Sequence, residues 1–254
     1  MTIWYDRRVL PGALIALILV FWAGITAPPA AAQAAARDTG SEQLPVVVEL
    51  FTSQGCSACP PADAFLRELG RRSDVLPLAL HIDYWDYIGW KDQFGSAEYT
   101  ARQRAYADRA KRNVVYTPQM IVDGRERTVG TRRDEVEGLI TRHRDAGNET
   151  GITLSLDRMG GGVYVRATAK TALSEPLDVV LLRYRPEATV DIARGENAGR
   201  QLSYSHIVTE MRRLGAWDMR APLKIETEVT GDRPVVVLLQ RPGPGAIEAA
   251  ARLR

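Results

Sequence analysis

Pro45-Val-Val-Val-Glu-Leu-Phe51, followed at once by Thr52-Ser-Gln-Gly-Cys56-Ser-Ala-Cys59-Pro-Pro61, decides how the chain is read. The first seven residues are an apolar run rich in β-branched side chains and short enough for a buried strand. The turn that follows holds both cysteines of the protein in one C-x-x-C, with none left over. Ala62 to Arg72 then has helical spacing, with Phe65, Leu66 and Leu69 on one face, and Val75 to Asp83 reads as a second buried strand. The order strand, C-x-x-C, helix, strand predicts an α/β fold with the cysteines at a strand-to-helix junction. A cysteine at a helix N-terminus has its thiolate stabilised by unpaired N–H groups and the helix dipole. Cys56 is therefore the candidate attacking thiol, and Cys59, one turn on, the candidate resolving thiol. The alternative is a static disulfide in a tight turn.

Downstream, Ser96 to Arg112 is helical in pattern, with Ser96 as N-cap. Val114-Val-Tyr-Thr117-Pro118-Gln-Met-Ile-Val-Asp123-Gly124 is an extended segment closed by Asp-Gly, so Arg125 to Val129 should pair back on Gln119 to Val122. Thr131-x-x-Asp134 resembles a capping box opening a last helix through about Arg144. Gly147 to Gly151 is the best boundary. Beyond it, Ile152 to Leu156 and Val163 to Ala167 alternate strictly, and Leu177 to Tyr184 and Val235 to Gln240 read as further strands, with one helix expected over Ser203 to Leu214. The division is thus a signal peptide and linker at 1–36, an α/β domain at 37–147, and a mostly antiparallel β module, a small sandwich, at 148–254 packed on it.

Seven of the 14 aromatic residues beyond position 36 fall between Tyr84 and Tyr106, so large apolar surface concentrates after the second strand. That loop leaves the same carboxyl edge as the C-x-x-C, the edge where open α/β sheets bind ligands. Tyr84, Trp85 and Trp90 are candidates for a platform under a partner peptide or sugar ring, with Asp83, Asp86 and Asp92 as polar handles. The alternative is a loop packed on itself. Cys56, Cys59 and His81 are three ligands of a kind copper or zinc accepts, but a closed zinc site needs a fourth. Neither a metal nor an organic cofactor is expected. Arg194-Gly-Glu-Asn-Ala-Gly-Arg200 either faces the C-x-x-C or is a turn-rich connection.

The N-terminus bears on the compartment. Arg7 and Arg8 precede an uncharged apolar run from Val9 to Ala27, and small residues follow through Ala36, which is the pattern of a signal peptide. Its removal leaves about 218 residues, enough for one large domain or two small ones. Export to a periplasm or beyond puts the cysteines where disulfides persist. No other stretch is long enough to span a membrane, so no membrane association is expected after cleavage. Thirty-three basic against 31 acidic residues give no electrostatic footprint for nucleic acid. Nothing argues for an oligomer, so a monomer is expected.

The order strand, C-x-x-C, helix, strand, helix, proline, strand, hairpin, helix resembles the thioredoxin fold, in which a cis-proline loop faces the C-x-x-C. That resemblance implies a cis bond at Pro118 and a Thr117 that offers its backbone to substrate; the departure is the long aromatic loop. Glu49-Leu-Phe-Thr-Ser-Gln-Gly-Cys56-Ser-Ala-Cys59-Pro-Pro-Ala-Asp63, His81-Ile-Asp-Tyr-Trp-Asp86 with Gly89-Trp-Lys-Asp92, Thr117-Pro-Gln-Met-Ile-Val-Asp-Gly124 and Arg194-Gly-Glu-Asn-Ala-Gly199 resemble the exported, thioredoxin-like bacterial family known as domain of unknown function 1223. The family implies the fold and little about function. Gly55 stands where thioredoxins carry a tryptophan, and Pro60-Pro61 removes two N–H groups just after the motif. The expected activity is thiol–disulfide exchange on a protein or small thiol substrate with a separate redox partner. The alternatives are a binding module with a structural disulfide, and copper handling.

Overall fold

The computed structural model describes residues 44–148 and 150–254; the expected signal peptide at 1–36 lies outside the described residues. Strand β1 (Val46–Thr52), buried along its whole length, pairs parallel with β2 (Val75–His81) on one side and antiparallel with β3 (Gln119–Val122) on the other. Its near-continuous apolar sequence follows from cover on both faces. Val47 and Phe51 join Tyr99 and Tyr106 of α2 (Ala97–Arg109) in one core. Val48 and Leu50 point the other way, toward Phe65, Leu66 and Leu69 of α1 (Pro60–Leu69) and Val136 and Ile140 of α3 (Arg133–Ala146).

The expected hairpin is present: β3 returns as β4 (Glu126–Val129) through Asp123 and Gly124, both at positive φ. Ser96 caps α2, its hydroxyl accepting from the Glu98 amide at 3.2 Å. Thr131 does not cap α3. The residue flanking that helix is Arg132, with no side-chain cap, so Thr131 stands one position too early for the expected box.

The remaining elements are β5 (Thr153–Met159), β6 (Gly162–Thr168), β7 (Leu177–Asp191), β8 (Gln201–Trp217), β9 (Leu223–Glu228), β10 (Val235–Gln240) and β11 (Ile247–Leu253). Four of them continue the first sheet, whose order is β11-β10-β7-β8-β2-β1-β3-β4, and β5-β6-β9 form a second, three-stranded sheet. The second sheet packs Val163, Val165 and Leu223 on Val179, Leu181, Val235 and Val237 of the large one. The result is a mixed α/β fold with one large mixed sheet and few helices. The large sheet runs across residue 147, and it is joined there by a thin seam, β2 meeting β8 in register at Ala79 and Ile207.

The helix expected over Ser203 to Leu214 is instead part of β8. Tyr204, Ile207, Val208 and Met211 recur at helical spacing because β8 is irregular. Its pairing with β7 slips at Arg183/Tyr184 and again at Val179/Val180, so Thr209 and Leu214 are each passed over by the register. Each such bulge interrupts strict alternation and shifts the apolar set by one residue.

Candidate functional site

The carboxyl ends of β1 and β2 lie side by side, with Thr52 opposite His81. From Thr52 the chain turns through Ser53, Gln54 and Gly55, the Cys56 amide donating to the Ser53 carbonyl at 3.2 Å. Cys56 and Cys59 form a disulfide. Cys59 is the residue flanking α1, and its carbonyl accepts from the amides of Ala62 and Asp63 at 2.9 and 3.1 Å. Pro60 and Pro61 occupy the first helical positions, where the missing N–H groups cost no helical hydrogen bond. Cys56 is only 1% exposed and Cys59 is fully buried; Ser57 and Ala58 between them are exposed.

The Thr117–Pro118 bond is cis. A Cβ placed on Gly130 would lie 3.1 Å from Ala62 Cβ and 3.3 Å from Pro118 Cβ, which sets the proline beside the first turn of α1. The aromatic loop closes over both segments. Trp85 Nε1 donates to Thr117 Oγ1 at 2.8 Å, and Trp90 Nε1 donates to Gln54 Oε1 at 2.8 Å. Tyr84 donates its hydroxyl to Gln103 Oε1 at 3.2 Å, and burial holds its pKa above the ordinary value. Gly55 lets the aromatic loop approach closely: a Cβ on it would stand 3.0 Å from Trp85 Cβ and 3.2 Å from Ile88 Cδ1. Both tryptophans are half-buried and spend their indole N–H groups on the segments around the motif. The exposed ring is Tyr87, 82% accessible and stacked on Trp85.

Behind the disulfide lies a buried ionisable cluster. His81 Nδ1 and Asp92 Oδ2 are 2.7 Å apart with no solvent exposure, and Asp92 also accepts from the amides of Gln54 and Phe94. Burial opposes both charges, but the pair overcomes it, holding His81 above and Asp92 below their ordinary values. Asp63, one turn along α1 from Cys59, accepts from Thr52 Oγ1 at 3.2 Å; burial pushes its carboxyl up to about 7, against the pull of His81. His81 Nε2, Tyr204 Oη and Gln54 Nε2 are buried without a hydrogen-bond partner among the described residues.

The set Cys56, Cys59 and His81 offers no metal centre in this form. Both sulfurs are spent on each other and His81 Nδ1 on Asp92, and among the described residues no three His, Cys, Asp or Glu side chains are grouped to hold an ion. Asp83 accepts from Thr100 Oγ1 at 2.5 Å, and Asp86 Oδ1 accepts from the Asp92 amide, so both acids brace the loop.

The loop Arg194–Arg200, between β7 and β8, does face the C-x-x-C. Asn197 Nδ2 donates to the carbonyls of Gln54 and Cys56 at 2.9 and 3.0 Å, and Glu196 Oε2 accepts from Ser57 Oγ at 2.6 Å. Sequence reasoning missed Asp63, Tyr204 and the particular roles of Glu196 and Asn197. Asp63 had a signal, a lone acid at i+4 from Cys59 on the apolar face of α1; Tyr204 had none.

A family model described as protein of unknown function (DUF1223) matches residues 47–240. The chain belongs to that family. Among solved structures it is similar to the X-ray crystal structure of a protein from Agrobacterium tumefaciens, at 35% identity and a TM-score of 0.71, over 84% of this chain and 96% of that one. It is also similar in fold to HBP35 of Porphyromonas gingivalis, at 15% identity and a TM-score of 0.54, over 84% of this chain and 76% of that one. No curated protein matches it. No helix of the described residues is long and apolar enough to cross a membrane.

Proposed function

We propose that this protein is an exported, thioredoxin-like thiol–disulfide oxidoreductase in which Cys56 exchanges with a substrate sulfur and Cys59 resolves the mixed disulfide. The observation that carries this reading is the joint position of two features at the start of α1: the Cys56–Cys59 disulfide, and Pro118 beside the helix's first turn. Residues 1–36 support export, and with it a periplasmic or secreted location.

The sulfur chemistry balances without a cofactor. In the reducing direction the Cys56 thiolate attacks a substrate disulfide; a Cys56–substrate bond forms, the substrate bond breaks, and one substrate sulfur leaves as thiolate. Cys59, having given up its proton, attacks the Cys56 sulfur and expels the second substrate thiolate. Two electrons and two protons pass from the pair to the substrate, and a dithiol donor returns them; the reverse sequence oxidises a dithiol. Asp63 sits at i+4 from Cys59, and its carboxyl, raised to about 7, is suited to take the Cys59 proton near neutral pH. Thr117 and Pro118 would line the substrate sulfur's approach, with Trp85 and Trp90 bracing the two loops.

The test is trapping. A Cys59→Ser variant is expected to accumulate a mixed disulfide through Cys56, and the double serine variant none. Absence of any adduct, with no reductase or isomerase activity in the wild type, overturns the reading. One observation favours a second reading: both cysteines are buried, as in a structural disulfide. On that reading the protein is a binding module. Partner or glycan binding would then be lost on changing Trp85 and Trp90 and kept on changing both cysteines.

A further inference from the structure

A helix that begins at a C-x-x-C normally offers its free amides to the first thiolate. In this chain those donors are scarce. Pro60 and Pro61 have no N–H, and the Cys59 amide is turned back to the Cys56 carbonyl at 3.2 Å. The Ser57 amide, ahead of the helix and adjoining Cys56, donates to Glu196 Oε2 at 3.3 Å, and the same oxygen accepts from Ser57 Oγ at 2.6 Å.

Glu196 is held there by a built loop. Ile192 and Arg200 close it through backbone hydrogen bonds, with Gly199 donating to Ile192 at 2.8 Å. Arg200 Nη1 donates to Asn197 Oδ1 at 2.6 Å, and Asn197, itself buried, grips the Gln54 and Cys56 carbonyls. Gly195 takes φ +77° and lies so close to the aromatic loop that a Cβ there would be 3.3 Å from Trp90 Cβ. The loop and the aromatic segment together leave Cys56 almost without solvent contact.

We propose, on the oxidoreductase reading above, that Glu196 is a positioning residue that biases the Cys56–Cys59 pair toward its disulfide form. Its carboxylate takes up the Ser57 amide, the backbone N–H adjoining Cys56, and places a negative charge at the motif's exposed tip. A disulfide carries no charge and tolerates that neighbour; a thiolate is opposed by it. The other ionisable groups around the motif include Asp63 and Arg67 on α1, Asp92, His81 and Tyr204 behind it, and Arg200 beyond Asn197. None of these bonds to the Ser57 amide.

The experiment equilibrates the mature wild type, Glu196→Gln and Glu196→Ala in graded glutathione buffers, with Glu187→Gln as a charge-matched control on the exposed part of β7. Removing one partly screened charge is expected to shift the dithiol–disulfide equilibrium toward the dithiol by about threefold to tenfold in Glu196→Gln. In Glu196→Ala, which also frees the Ser57 amide, the shift is at least as large; tenfold corresponds to about 30 mV. The reduced variants should also alkylate faster at Cys56 than the reduced wild type at neutral pH. A loop that merely braces the fold would change melting temperature and leave these two readings alone. Equilibria within twofold of a freely exchanging wild type would overturn the role of Glu196 and leave the oxidoreductase reading standing. A wild type that resists reduction beside a Glu196→Gln that titrates would support the role of Glu196 and count against the oxidoreductase reading. If neither protein is reduced, both fall.

Discussion

Two buried polar clusters sit on opposite faces of β1, and they are built to different standards. On the α2 face, Glu49 accepts from Arg102 Nε at 2.7 Å and from the Tyr106 hydroxyl, while Gln240 of β10 accepts from Arg102 and donates to Tyr106. None of these four side chains leaves a buried polar atom unpaired. On the α1 face, Asp63, His81, Asp92 and Tyr204 are as deeply buried, yet His81 Nε2 and Tyr204 Oη have no partner among the described residues, and Asp63 has one weak donor in Thr52. A fully satisfied network specifies a core and ties β1, α2 and β10 together. Orphaned groups beside perturbed acids are the mark of a site, where stability is given up for reactivity. On the proposed reading the first cluster serves structure and the second serves chemistry.

The largest expected effect breaks the structural cluster. Glu49→Ala leaves Arg102 as an uncompensated buried charge and should cost about 3–5 kcal/mol in urea unfolding. A loss below about 1 kcal/mol would show that the cluster is not the tie described here.

The second prediction uses pH on the other cluster. Asp63 has a folded-state value of about 7 against an ordinary 3.8, so its contribution to stability is fully present below about pH 4 and is lost as pH rises toward 7. At about 1.4 kcal/mol per unit, the wild type should lose on the order of 4 kcal/mol relative to Asp63→Asn between pH 4 and 8. The two stability curves should converge in acid and separate at neutral pH. Parallel curves would remove Asp63 from the reactive cluster.

The smallest effect concerns the contact between the aromatic loop and the cis-proline segment. Trp85→Phe deletes the indole donor to Thr117 Oγ1 and should cost about 1 kcal/mol in thermal unfolding, with a larger proportional change in substrate exchange than in stability. Equal changes in both would make the contact purely structural.

The two halves of the chain were legible to different degrees. In Val46 to Val129 local chemistry agrees with the fold: apolar runs for buried strands, Ser96 at a cap, Asp123-Gly124 at a tight turn. The C-x-x-C and the Arg194–Arg200 loop were visible as candidates because their composition departs from that of a core. The partition of strands between sheets was not visible. No local signal in Tyr204 or Ile207 says that β8 continues the sheet of β2, since that contact spans more than 120 residues and rests on a single register pair. The bulges that give β8 a helical apolar spacing are set by its pairing with β7, and a single sequence carries no direct trace of them. The orphaned state of His81 is equally a product of assembly, because its surroundings come from α1, the aromatic loop and β8 at once.

The account stands on the Cys56–Cys59 pair being exchangeable, and the direct measurement is its reduction potential in the mature protein, from glutathione equilibration with thiol trapping. Working oxidoreductases fall between about −120 and −270 mV, and the withheld helix donors together with Glu196 place the expected value toward the negative end of that span. A value below about −300 mV, where structural disulfides lie, would contradict the account and make the pair a staple for the aromatic loop.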